Sequence, residues 1–233
     1  MEKNTNTLPR KSFIGTFAAG ATVLGLAGLT TACETKVKVE TPPVAEKLDP
    51  ADEWFSKLKD KKHKVVYDVP EPHEMMPFAW PRVFLITNEQ TGTKTADSGV
   101  VVVLRHNAIP FAMKSELWEK YKFGEFFKTD DPKTKKPSLR NAFWQPAAGD
   151  FKVPGVGEVK IGINELQQDG VMFCVCGMAM KVLSAVTAEI TKGDSEAIHK
   201  EWLDGLLPGI QVVPSGVWAL GRAQEQGCGY IKV

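Results

Sequence analysis

The sequence predicts an open α/β sandwich built on a mostly parallel sheet of five strands. Two apolar runs, residues 83–87 and 100–104, do not alternate with polar residues, and strands covered on both faces read that way. Further apolar runs at 171–176, 210–213 and 229–233 are separated by segments of helical spacing, so strands and helices alternate along the chain. With 233 residues, 43% hydrophobic composition and a net charge of +1, one domain with a sizeable core is expected.

The N-terminus differs in character from the rest. Lys3, Arg10 and Lys11 precede an apolar, small-residue run over 13–32 that ends at Cys33, which predicts an export signal over residues 1–33. The run is short and rich in Gly, Ala and Thr, which favours a signal over a membrane span. Arg10-Lys11-Ser12-Phe13-Ile14 resembles the twin-arginine export motif, with lysine in the second basic position. Leu29-Thr30-Thr31-Ala32-Cys33 resembles a bacterial lipoprotein processing site, although Thr30 stands where that pattern prefers leucine. Two mature forms stay open: one lipidated on Cys33 and attached to a membrane, the other cleaved near Ala32 and soluble. Both place the domain outside the cytoplasm, in the periplasm or cell envelope.

Removing residues 1–33 takes away Lys3, Arg10 and Lys11 together with Glu2, and turns the net charge from +1 to −1. Nothing in that balance suggests a nucleic-acid partner. Cys174, Cys176 and Cys228 remain, and an odd number of cysteines in an oxidising compartment leaves at least one thiol free, modified, metal-bound or intermolecular. Cys174 and Cys176 on one extended strand are poorly placed to bridge each other; Cys228 is the more plausible partner for either.

Residues 34–47 read as a flexible tether and 48–233 as a single domain. Residues 51–58 predict a short helix with Trp54, Phe55 and Leu58 on one face. The proline-rich stretch 65–82 shows no sustained period and is expected to wrap the surface, so 48–82 reads as an N-terminal extension. After the strands at 83–87 and 100–104, Ile109, Met113, Leu117 and Tyr121 recur at helical spacing with Pro110 in the first turn. Residues 127–158, rich in Pro, Lys and Gly, form a long insertion of the kind that serves as a lid, with Phe143 and Trp144 as its aromatic anchor. A short helix over 159–169 ends at Gly170. The next helix has Ala179, Val182, Leu183, Val186 and Ile190 as its expected buried stripe, and Ile198, Trp202, Leu203 and Leu206 mark another. Residues 214–226 predict a last helix.

Cys176 lies where the strand 171–176 runs into a helix N-terminus, whose free N–H groups and dipole favour a thiolate. Cys174, surrounded by apolar residues, reads as a small core hydrophobe. Ligands of open parallel sheets bind outside the carboxyl ends of the strands, where Thr87-Asn88, His106-Asn107, Cys176-Gly177 and Ser215-Gly216 are expected to meet. His106 can deprotonate the thiol or stabilise its thiolate, or simply cap the turn. Ser215 and the N–H groups beyond Pro214 can hold an anionic group or serve only as an N-cap.

In order, Val101-Val102-Val103-Leu104-Arg105-His106, residues 166–177 with the strand-end cysteine, Val212-Val213-Pro214-Ser215-Gly216-Val217, and Gln224-Glu225-Gln226-Gly227-Cys228-Gly229-Tyr230-Ile231 resemble the DsrE-like family of sulfur-relay proteins. The resemblance spans residues 83–233 and implies a three-layer α/β/α sandwich that assembles into homo-oligomers, typically trimers or hexamers. It further implies that Cys176 carries sulfane sulfur as a persulfide between donor and acceptor proteins, with no cofactor. In that scheme Cys228 is a resolving thiol only if the fold or the oligomer brings it near.

Two other classes compete with sulfur transfer. Cys174-x-Cys176 with Met172, Met178, Met180 and the His73-Glu74-Met75-Met76 loop suggests a soft metal such as copper(I), and ranks lower because Met178 and Met180 cannot face the same way on a helix. The other is a non-catalytic oligomeric module presenting Trp80, Phe143 and Trp144. The sequence has no nucleotide-binding glycine loop, no zinc-type Cys/His spacing and no Ser/His/Asp motif.

Overall fold

The computed structural model describes residues 50–233. The stretches expected to form an export signal and a tether, with Cys33, fall outside the described residues. The chain runs through α1 (Pro50–Ser56), β1 (His63–Val69), α2 (Met76–Gln90) and β2 (Ser98–Leu104), then a 3₁₀ segment at His106–Ala112, α3 (Ser115–Lys120) and α4 (Phe123–Phe126). A two-stranded hairpin follows, β3 (Lys152–Val153) with β4 (Gly157–Glu158), then α5 (Ile163–Gln168) and β5 (Met172–Cys176). The last elements are α6 (Gly177–Thr191), α7 (Ser195–Asp204), β6 (Gln211–Val213), α8 (Gly216–Glu225) and β7 (Gly229–Lys232).

Five strands form one sheet in the order β6-β5-β2-β1-β7, and every pairing in it is parallel. The three-layer sandwich follows from how the sheet is covered. One face, with Val65, Tyr67, Val102, Leu104, Phe173 and Val175, packs under α2, the 3₁₀ segment, α5, α6 and α7. The other, with Val66, Val101, Val103, Cys174 and Val213, packs under α1 and α8. Helix α8 therefore carries the chain from edge strand β6 back across the sheet to the opposite edge, β7.

Several sequence expectations about elements change. The first strand is residues 63–69, not 83–87. Residues 65–69 do not wrap the surface but are fully buried in the sheet between β2 and β7, so the described part of that segment, 50–82, belongs to the sheet and its cover. The β-branched and aromatic Val65, Val66, Tyr67 and Val69 suit a strand, and the charged Asp68 among them hides the run. Residues 83–87 belong to α2, whose inner stripe is Phe78, Pro81 and Leu85, while Val83 and Ile86 face outward, 45% and 37% exposed. Pro77 sits in the first turn, where its missing N–H costs nothing.

The helix expected through 109–121 is broken. Met113 pairs in an isolated bridge with Leu206, and Lys114 N–H donates to Gly205 O while Leu207 N–H donates to Ala112 O. These bonds hold the chain extended between the 3₁₀ turns and α3. Ile109, Met113 and Leu117 are nonetheless all buried.

The insertion 127–158 is anchored to the core through its aromatic residues and one buried amide. Phe143 stacks on Phe78 at 4.3 Å and on Phe151 at 5.0 Å, and buried Asn141 donates to both Phe111 O and Met113 O. In α6 the buried residues are Met180, Ser184, Thr187 and Ala188, whereas Val182 and Ile190 are exposed. The helix is turned about its axis from the expected stripe, because its first turn is fixed at both sides: Met178 N–H donates to Pro214 O and Ala179 N–H to the Cys176 sulfur.

Candidate functional site

Cys176 ends β5 and is the N-cap of the 15-residue helix α6. Its Sγ accepts the Ala179 backbone N–H at 3.2 Å, so the sulfur stands where a serine or aspartate oxygen would cap the helix. Gly177 permits this sharp exit: a Cβ there would lie 3.0 Å from Val213 O. Cys176 is a buried residue, 7% exposed, against 0% for Cys174 two residues earlier.

Register places charge beside the thiol. Leu104 pairs with Val175, so the residues that follow, Arg105 and Cys176, leave adjacent strands side by side. Alternation turns Arg105 toward the α8 face, as it does Val103 and Cys174, while the Cys176 sulfur reaches the first turn of α6. Arg105 and Cys176 are within electrostatic reach of each other. Arg105 donates from Nε to Asp68 Oδ1 at 2.6 Å and from Nη2 to Asp68 Oδ2 at 2.9 Å, a bidentate pair that fixes the guanidinium plane. Tyr230 from β7 adds an O–H donor to Asp68 Oδ2 at 2.7 Å, and Lys232 adds positive charge facing the same carboxylate. Burial alone would raise the Asp68 pKa; the Arg105 and Tyr230 hydrogen bonds with the Arg105 and Lys232 charges outweigh it, and the carboxyl sits below its ordinary range.

Helix α8 closes this side. Ser215 is its N-cap, accepting Trp218 N–H at 3.2 Å. Gly216 lies flat against Arg105, and a Cβ on it would fall 2.6 Å from Arg105 Cβ and 2.7 Å from Arg105 Cδ. Gly216→Ala is therefore expected to force apart α8 and Arg105 at a cost of about 1–3 kcal/mol, which a denaturant midpoint shift will show.

Of the residues expected at the strand ends, Cys176, Ser215 and Gly216 meet there. Thr87 and Asn88 do not. They lie in the last turns of α2, which returns the chain toward the start of β2, and Asn88 Nδ2 donates to Phe84 O within the helix. His106 and Asn107 leave β2 at the correct edge but turn to Glu71: His106 Nδ1 lies 2.9 Å from Glu71 Oε1, and Asn107 Nδ2 donates to Glu71 Oε2 at 2.8 Å. Among the described residues neither hydrogen-bonds Cys176, and the His106 side chain is 60% exposed.

The other thiols stand apart. Burial pushes the Cys174 pKa far up, with Cys176 adding to it, which leaves Cys174 inert. Cys228 precedes β7, whose first residue pairs with Val65, so it lies at the amino edge of the sheet, roughly 20 Å along the strand direction from Cys176. It cannot resolve a Cys176 intermediate within one chain, and burial pushes its pKa up to about 11 despite nearby Lys64. No group of three metal-ligating His, Cys, Asp or Glu residues occurs among the described residues, and Met178 is exposed while Met180 is fully buried. Phe143 is a core residue, 2% exposed, and presents no surface.

Sequence reasoning missed Asp68, Arg105, Tyr230 and Lys232. The signal lay in Asp68, a lone charge inside an apolar run, because a buried carboxylate requires a cationic partner.

The chain matches no protein-family model and no curated protein. Among solved structures it is similar to the protein of unknown function MTH1491 from Methanobacterium thermoautotrophicum, at 18% identity and a TM-score of 0.37, covering 74% of this chain and 100% of that one. At that overlap the similarity decides neither fold nor function.

Proposed function

We propose that the chain is an exported DsrE-like protein that carries sulfane sulfur as a persulfide on Cys176. The observation that carries this reading is the Cys176 sulfur itself, which caps a long helix at the carboxyl edge of a parallel sheet with Arg105 beside it. The Ala179 amide donates to the sulfur and Arg105 leaves the neighbouring strand beside it, so a persulfide formed there has a hydrogen-bond donor and a cation at hand.

The chemistry closes without a cofactor. The Cys176 thiolate attacks the outer sulfur of a donor R–S–S⁻; the donor's S–S bond breaks, its electron pair leaves as R–S⁻, and Cys176 becomes Cys–S–S⁻. An acceptor thiolate then takes the outer sulfur and returns Cys176 to the thiolate. Met178 and Val217, 57% and 68% exposed on the first turns of α6 and α8, offer an acceptor protein apolar footing on either side of the thiol.

The test is to load the protein with isotopically labelled polysulfide, map the label by peptide mass spectrometry, and chase it with a small thiol. One sulfur on Cys176, released by the chase and absent from Cys174 and Cys228, is expected. A Cys176 that stays unloaded would contradict sulfur carriage and leave the non-catalytic binding module.

A further inference from the structure

We infer that Arg105, aimed by Asp68 and Tyr230, is the specificity-determining residue of the Cys176 site and selects donors that carry negative charge next to the transferred sulfur. The inference rests on the sulfur-carrier reading for the identity of the donor, but the anion preference itself is a property of the site's charges and geometry.

Three features argue for it. Asp68 engages only Nε and Nη2 of Arg105, so the Nη1 end of the guanidinium is uncommitted among the described residues, and two further donors reside there. The Arg105 side chain is 26% exposed whereas that of Asp68 is 2% exposed, so a solute arriving at the edge meets the cation and not the carboxylate. Lys232, one strand beyond and facing Asp68, gives the Arg105–Asp68–Lys232 cluster one net positive charge, and the Glu71 carboxylate at the same edge is turned to His106 and Asn107. Fixed on one side by a bidentate pair and on the other by Gly216, Arg105 cannot swing away, and a charge held in place discriminates better than a mobile one.

The experiment compares two alkylating probes of nearly equal size on the full chain, anionic iodoacetate and neutral iodoacetamide, with Cys176 read by fragment-ion mass spectrometry. The ratio of their rate constants in the folded protein is divided by the same ratio for the unfolded chain. We expect this quotient to be at least about fivefold in favour of the anion, the factor one partly exposed charge supplies, to fall toward one with added salt, and to vanish in Arg105→Gln. Arg105→Lys should keep most of it. The double variant Asp68→Asn with Arg105→Gln, which leaves no buried charge unpaired, should lose it as the single variant does and guards against misfolding. A quotient near one in the native protein, a quotient unchanged by Arg105→Gln, or a Cys176 that neither probe reaches would overturn the inference. Sulfur uptake plays no part in this readout, so a chain that prefers the anionic probe yet takes no sulfur would contradict only the carrier reading.

Discussion

Cys176→Ser will take up no sulfur. The folded protein should otherwise be unchanged, because serine is a good N-cap and its hydroxyl can accept the Ala179 N–H that the sulfur now accepts. The wild-type chain, exposed to polysulfide and then trapped, should gain one sulfur at Cys176, and the variant none. Cys174 gives no background, since it is fully buried in the face under α8 and burial holds it as a neutral thiol. Unfolding curves of the two proteins should coincide within about 1 kcal/mol, the usual scale of a cap exchange. Uptake that persists in Cys176→Ser would place the sulfur on another cysteine and contradict the assignment to Cys176.

The second large effect falls on Asp68. Asp68→Asn should cost about 3 kcal/mol of stability, the low end for removing one partner of a buried ion pair, because Arg105 remains partly hydrated. The pair also sets an acid dependence. The folded-state pKa of Asp68 lies below its ordinary value, so its contribution is complete above about pH 4 and is lost as the pH falls through the depressed folded value. Wild type should therefore lose stability in acid faster than Asp68→Asn, and their denaturant midpoints should converge below about pH 4. Midpoints that differ by the same amount at every pH would show that the carboxylate's charge is not what stabilises the pair. Asp68→Asn should also loosen Arg105 and weaken the preference for iodoacetate without abolishing it.

Much of this arrangement was legible in the sequence, and what was not has a physical reason. Unalternating apolar runs announced a parallel sheet covered on both faces, and β2 is buried along its whole length. Cys176 before Gly177 marked a strand running into a helix, as did Ser215 before Gly216. Period alone could not distinguish residues 83–87, a short apolar run, from a turn and a half of helix, and α2 shows that Phe78, Pro81 and Leu85 decide the matter from one side. Residues 65–69 were obscured by Asp68, whose partner lies 37 residues away on the neighbouring strand. His106 and Asn107 sit at the proper edge, but which way a side chain turns after a strand end depends on the loop opposite, here Glu71. Arg105 and Tyr230 could be linked to Cys176 only once the strand order β5-β2-β1-β7 was known.

The most direct test of the central claim is the state of Cys176 in the protein taken from its own cells, with thiols and persulfides trapped at lysis and each cysteine mapped by mass spectrometry. The account predicts a fraction of molecules carrying one extra sulfur on Cys176, released by reductant, with Cys174 and Cys228 free of it. Cys176 found only as an unmodified thiol, and still unmodified after treatment with polysulfide, would contradict it.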